Sequence, residues 1–245
     1  VSIHGGQSQR FSVMFDGVTI NNEQNGGADI SQIPTFLLSN IEYLSQGHSS
    51  RFGASVMTGL LNLAPSKEGT KVSISIGNFN EWSGGSLFTK VFKKTKFTLG
   101  FGRSNYDANY SYTELGNYSS AYSDFEKVYE GLSNSIKQDY IYSHVEHGNL
   151  KSTYFEVNSI RELSTFVYSP PVKIQKMCDG LQILSSSINF SESRFSHSRK
   201  KTNIEYLNDK HSLVTNNFSF SQSFGDFSGL VSITNVFSES SRLPD

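Results

Sequence analysis

The stretch His144-Val145-Glu146-His147 sets two imidazoles and a carboxylate within four residues, the donor types from which a zinc site is built. On a strand, residues three apart project to opposite faces, so the two histidines diverge unless a turn intervenes, and the stretch reads as an ordinary strand end. Gly47-His48-Ser49-Ser50-Arg51 places a histidine beside two serines but lacks the Gly-x-Ser-x-Gly spacing that lifts a nucleophilic serine onto a tight turn. No Gly-x4-Gly-Lys-Ser/Thr phosphate cradle occurs. No catalytic constellation emerges, so the expectation is a protein that is not an enzyme, with no cofactor and no metal. Two polar stretches remain. Arg199-Lys200-Lys201 is either a solvated loop or a basic contact to lipid phosphate at a membrane surface. The segment from Asn21 to Asp29 is polar and flexible, and Asn21, Asn22, Asn25 and Asp29 are its candidates for facing a substrate; a plain solvated connection is the alternative.

Composition narrows what elements can hold these groups. The chain has 245 residues, with 21 Lys and Arg against 22 Asp and Glu, a net charge of -1. The electrostatic footprint of a nucleic-acid binder is missing. Hydrophobic residues make up only 36%, while aromatics reach 13% and charged residues 18%, the last below the roughly 25% of an ordinary soluble domain. Serine, at 42 residues, carries much of the polarity. Small polar residues mixed with aromatics point to β structure with one wet face. No run of about 18 apolar residues exists to form a membrane-crossing helix, and no signal peptide opens the chain. The start at Val1 and the end at Asp245, just after a strand-like run, lead to the expectation of an excerpt from a longer protein. Cys178 is alone and permits no internal disulfide.

A composition shift near Lys67 divides the chain. Residues 1–66 read as a small mixed α/β unit, with a helix expected from Pro34 to Asn40 because proline is well placed to open one. From Lys71 onward the period becomes two. Val72, Ile74 and Ile76 alternate with Ser73, Ser75 and Gly77, and the same holds around Leu87 to Phe92 and Phe97 to Gly102. Further strands are expected over Ile136–Glu146, Lys151–Asn158, Leu181–Ser191, Ser212–Phe224 and Phe227–Phe237, eight in all. Without amphipathic helices between them, an antiparallel meander is favoured. Tight connections at Lys93-Lys94-Thr95, His147-Gly148-Asn149 and Gly225-Asp226 alternate with long polar ones over Tyr106–Asn134 and Leu163–Gly180. That alternation suits an outer-membrane barrel, although a soluble β-sandwich, a secreted or surface carbohydrate-binding module, satisfies the same pattern.

The first 66 residues decide. Ile3-His4-Gly5-Gly6, Val13-Met14-Phe15-Asp16-Gly17-Val18-Thr19-Ile20-Asn21 and Asp29-Ile30-Ser31-Gln32-Ile33-Pro34 follow one another, then Ile41-Glu42, Gly47-x-Ser49-Ser50-x-Phe52-Gly53 and Gly59-Leu60-Leu61-Asn62-Leu63. In this order and spacing they resemble the plug domain of TonB-dependent outer-membrane receptors. His4 stands where that family carries arginine, and Ser45-Gln46 replaces a Leu-Arg pair. The resemblance implies a mainly β protein: a plug over residues 1–66, followed over 67–245 by part of an antiparallel transmembrane β-barrel of about 22 strands. On this reading Gly5, Gly6, Asp16, Gly17, Pro34, Glu42, Gly47, Ser50, Gly53, Gly59 and Asn62 shape the plug, and Asn21–Asp29 is an apical loop directed at the extracellular vestibule. The family implies an active transporter of a scarce nutrient in the bacterial outer membrane. Its partners are membrane lipid, a small-molecule ligand and the TonB energy-coupling complex, whose coupling box lies outside this chain. The wording Ala28-Asp29-Ile30-Ser31-Gln32 is close to that of vitamin B12 receptors, with a siderophore-type chelate the next candidate.

Overall fold

A computed structural model describes residues 11–45, 59–107, 110–115, 126–132, 135–164, 174–206, 209–224 and 227–242. Its first element, β1 (Phe11–Phe15), is buried at all five positions, Ser12 among four apolar residues, as suits a strand covered on both faces. Asp16 and Gly17 follow with φ of 49° and 80°. Two consecutive positive φ angles make the turn whose twist matches a two-residue hairpin, and the chain returns as β2 (Val18–Thr19), with Met14 opposite Thr19 and Phe15 opposite Val18. Two 3-10 turns, Ile30–Gln32 and Thr35–Leu37, lead into β3 (Leu38–Leu44), which pairs antiparallel with β4 (Gly59–Pro65). β4 lies parallel to β1, giving a four-stranded sheet in the order β2-β1-β4-β3.

The helix expected from Pro34 to Asn40 is not formed. Only one 3-10 turn follows Pro34, and Leu38 onward is strand. The outer edge of β4 carries backbone groups that need partners, and Leu38–Leu44 satisfies them in a way an isolated turn of helix cannot.

The remaining described residues are nearly all strand: β5 (Thr70–Ile76), β6 (Trp82–Phe92), β7 (Thr95–Asp107), β8 (Tyr110–Leu115), β9 (Glu126–Leu132), β10 (Ser135–His147), β11 (Leu150–Ser164), β12 (Ile174–Phe190), β13 (Ser193–Tyr206), β14 (Asp209–Phe224) and β15 (Phe227–Arg242). Nine of them form one antiparallel sheet in the order β15-β14-β13-β12-β11-β10-β7-β6-β5, and β8 pairs with β9 in a separate hairpin. Three expectations need correcting. The stretch Tyr106–Asn134 contains that hairpin, and β12 begins at Ile174, well inside the connection expected to run to Gly180. A whole strand, β13, was not anticipated, and Arg199-Lys200-Lys201 lies in its middle instead of in a loop. Charged residues at consecutive positions disguise a strand whose two faces both have polar partners. Links of two residues join β6 to β7, β10 to β11 and β12 to β13 at one end; Gly225-Asp226 lies outside the described residues. The long connections lie at the other end. A soluble sandwich keeps its large aromatics between its sheets, whereas here the face of the nine-stranded sheet turned away from the small one exposes Phe88, Phe97, Phe101, Phe195 and Phe218.

Residues directly opposite one another across the ladder share a face. Val72, Ile74 and Ile76 sit opposite Ser86, Gly84 and Trp82 on the outer face, continuous with Phe88, Leu99 and Phe101. The inner face carries Leu87, Tyr140, Tyr142, Phe155, Val157, Leu181 and Ile183. These pack in one buried cluster with Phe11, Val13, Phe15, Val18, Ile20, Ile33, Leu37 and Leu63 of the small sheet. Phe15 stands at the centre, 4.7 Å from the Phe155 ring and 6.2 Å from Tyr142. The small sheet is therefore seated on the inner face of the large one.

Candidate functional site

Around that apolar seat, polar groups tie the small sheet to the wall. The first tie is the hairpin tip. Positive φ leaves the Asp16 side chain free of its own strand, and its carboxylate accepts from Lys67 Nζ at 2.7 Å and from Thr153 Oγ1 at 2.6 Å. Thr153 has one proton and gives it to Asp16, so the 2.8 Å contact to His144 Nδ1 is one in which the imidazole donates. That fixes the Nδ1–H tautomer. His144, 1% exposed, thus faces inward, while His147 lies at the turn with Nδ1 2.7 Å from Thr95 Oγ1.

The second tie stands at the long-connection end. Asp29 caps the first 3-10 turn by accepting from Ser31 N. Its other oxygen accepts from Arg161 Nη2 at 2.8 Å, and the same guanidinium lies 3.2 Å from Asp179. Gln32 Nε2 donates to Asp179 at 2.8 Å, and Gln138 Nε2 to Ser31 O. Burial opposes ionisation of Asp29, but the Ser31 hydrogen bonds and the Arg161 charge outweigh it and hold the carboxyl below its ordinary value.

The third tie is Lys200, only 2% exposed on the inner face of β13. Its ammonium donates to Asn21 O and, at 2.6 Å, to Glu23 Oε1. Alternation along β13 puts Lys200 inside and its two basic neighbours outside.

A steric fit completes the seat. Phe36, in the second 3-10 turn, lies over the cross-strand pair Gly85 and Gly102. A Cβ on Gly102 would stand 2.8 Å from Gly84 O and from the Phe36 ring, and one on Gly85 would stand 2.5 Å from Phe36.

The ligand-facing candidates divide into different roles. Asn21 is structural: its Oδ1 accepts from Val13 N and its Nδ2 donates to Phe11 O and Gly26 O, stapling the loop to β1. Asn22 Oδ1 accepts from Gln24 N and Asn25 Oδ1 from Gly27 N, so both shape the loop. Asp29 belongs to the Arg161 tie. Gln24 and Asn25 are the exposed tip, with Gln24 Nε2 3.3 Å from Ser238 Oγ on β15. Of the other residues singled out, Asn62 Nδ2 donates to Glu42 across β3 and β4. A Cβ on Gly59 would stand 3.2 Å from Tyr43, and Pro34 precedes the turn that carries Phe36. Gly5, Gly6, Gly47, Ser50 and Gly53 lie outside the described residues. Arg161, Asp179 and Thr153 were not singled out in the sequence, and Lys200 was read there only within Arg199-Lys200-Lys201, as part of a loop or lipid contact and not as an inward tie. The available signal was a charged or hydroxyl residue at an inward position of a strand, visible only once each strand's facing is known.

Beside the seat, a cavity of about 1050 Å³ separates the β2 edge from the wall formed by β12–β15. Serines, threonines and asparagines dominate that wall, among them Ser196, Ser198, Thr215, Asn217, Ser219 and Ser232. Such a lining offers hydrogen bonds of both senses and little charge. No group of three or more metal-ligating side chains occurs among the described residues.

Residues 1–60 match the model of the TonB-dependent receptor plug domain. Among solved structures, the chain is similar to the ferric yersiniabactin uptake receptor FyuA from Yersinia pestis, with a TM-score of 0.52 and 9% identity over 95% of this chain. It spans 41% of the length of that receptor.

Proposed function

We propose that this chain, a TonB-dependent receptor of the bacterial outer membrane by its plug domain, binds a scarce small-molecule nutrient at the outer face of its plug and imports it with energy from the TonB complex. Residues 1–66 serve as the plug and residues 67–245 as barrel wall. The family is one of transporters and receptors, and no enzymatic step is part of this reading. The observation that carries it is the apical segment. Lys200 holds its near end through Asn21 and Glu23, Arg161 holds its far end through Asp29, and Gln24 and Asn25 stand exposed between them. A polar tip fixed at both ends loses little conformational entropy on binding, which favours affinity. The ligand is of the large, polar chelate class: a ferric siderophore-type complex, the similar receptor being one for uptake of ferric yersiniabactin, or cobalamin, as the wording around Asp29 suggests. Uptake of labelled cyanocobalamin and of a ferric siderophore by cells carrying the full-length receptor, with and without TonB, tests the reading. Saturable uptake of one compound, abolished without TonB, is expected; uptake that ignores either the receptor or TonB overturns it.

A further inference from the structure

The outer face of the wall holds a second ordered arrangement. Arg199 lies opposite Leu184 and Asn216, and Lys201 opposite Gln182 and Val214, so both point away from the plug that Lys200 grips. Counting outward-facing residues along each strand from the short-turn end, the fourth or fifth is Arg103 on β7, Asp139 on β10, Glu156 on β11, Gln182 on β12, Arg199 on β13, Asn216 on β14 and Asn235 on β15. Below this belt come exposed apolar side chains such as Leu99, Ile141, Leu184, Phe195, Phe218 and Ile233. A fifth outward residue is about nine residues along its strand, the length a tilted strand needs to cross the hydrocarbon. The belt therefore lies at the headgroup level on the long-connection side, which in such barrels is the extracellular one.

Within the belt the other charged groups already have partners on the wall. Arg103 is held by Asp139 at 2.5 and 3.0 Å, and Glu156 accepts from Tyr154 and Asn158. Arg199 and Lys201 have no carboxylate within ion-pair distance among the described residues. They stand on one face two residues apart, roughly 7 Å along the strand. Directly below them His197 stacks on Phe218 at 4.4 Å between ring centroids, and Phe195 lies 4.6 Å from Phe220. Two unpaired cations above an aromatic floor match the two parts of one molecule: anionic phosphate above, acyl chains below. The geometry points to Arg199 and Lys201 as a site for the phosphate group of an outer-leaflet glycolipid.

The inference needs the outer-membrane placement and is independent of which nutrient is imported. Native mass spectrometry of the purified full-length receptor in detergent, titrated with diphosphorylated lipid A and with its dephosphorylated form, provides the test. The wild type should retain the phosphorylated lipid at least about tenfold more strongly. Arg199→Gln with Lys201→Gln should lose most of that preference, while Arg199→Lys with Lys201→Arg keeps it, each variant being checked for the heat-modifiable mobility of a folded barrel. Equal retention of the two lipids by the wild type overturns the site without reference to any variant. So does an unchanged preference in the folded double Gln variant, or displacement of the lipid by millimolar inorganic phosphate, which would make it a site for free anions.

Discussion

Lys200 shows how one side chain can carry a domain contact. A cation that is almost completely buried must be paired, and removing one partner of a buried pair costs far more than replacing both members with apolar groups. Glu23→Ala should therefore destabilise plug seating by about 3 kcal/mol, the low end for an uncompensated buried charge because the adjoining cavity brings water near, whereas replacing both members, Lys200→Met with Glu23→Leu, should be closer to neutral. Urea titration of the full-length receptor, read by protease cleavage in the apical segment, compares the two; equal losses contradict the assignment. Asp29 gives a pH-dependent counterpart. Its folded carboxyl is held below the ordinary 3.8, so the tie to Arg161 is fully present above that value and is lost only as pH falls through the lower folded one. Carboxyl ¹³C shifts of labelled Asp29 should titrate below 3.8; a midpoint at or above it contradicts the tie.

At the scale of elements, the seat of Phe36 on Gly85 and Gly102 makes a sharp demand. Gly102→Ala inserts a Cβ 2.8 Å from Gly84 O and the Phe36 ring, and overpacking of this kind costs about 1–3 kcal/mol. A thermal unfolding cycle with Phe36→Ala should recover part of that loss and leave the part due to the backbone contact; strict additivity would show that the two do not touch. The sequence made some elements plain and hid others, for physical reasons. The hairpin at Asp16-Gly17 was legible because its turn chemistry is local, and β5 and β7 because alternation with one apolar face survives in sequence. β13 was hidden: its inner face bears Lys200 and its outer face Arg199 and Lys201, so neither face is apolar there. The turn at Thr35–Leu37 replaced a helix because β4 required a pairing partner. The ties through Arg161, Asp179 and Thr153 join residues more than 130 positions apart from their plug partners, and no local signal announces contacts of that range.

For the whole molecule, the two faces of one sheet do different work. The inner face grips the plug through an apolar centre and three polar ties, leaving a polar cavity on the side of β12–β15. The outer face carries an apolar band that ends at a polar belt. On the proposed reading, the exposed tip of the Asn21–Asp29 segment lies where a ligand arriving from outside would meet it, and that placement is the core of the proposal. It is tested most directly by titrating the full-length receptor with cyanocobalamin and with a ferric siderophore, for the wild type and for Gln24→Gly with Asn25→Gly. Both changed residues are exposed and belong to none of the three ties; the variant gives up the Asn25–Gly27 turn bond and the Gln24–Ser238 contact, but Asn21, Glu23 and Asp29 still pin the loop, so the fold should persist. The wild type is predicted to bind one of the two compounds, and the variant to bind it more weakly by about 1–3 kcal/mol, the cost of leaving polar partners unmatched. Binding of neither compound by the wild type, or equal affinity of the two proteins, would contradict the account and move the ligand contacts to the connections at the long end of the wall.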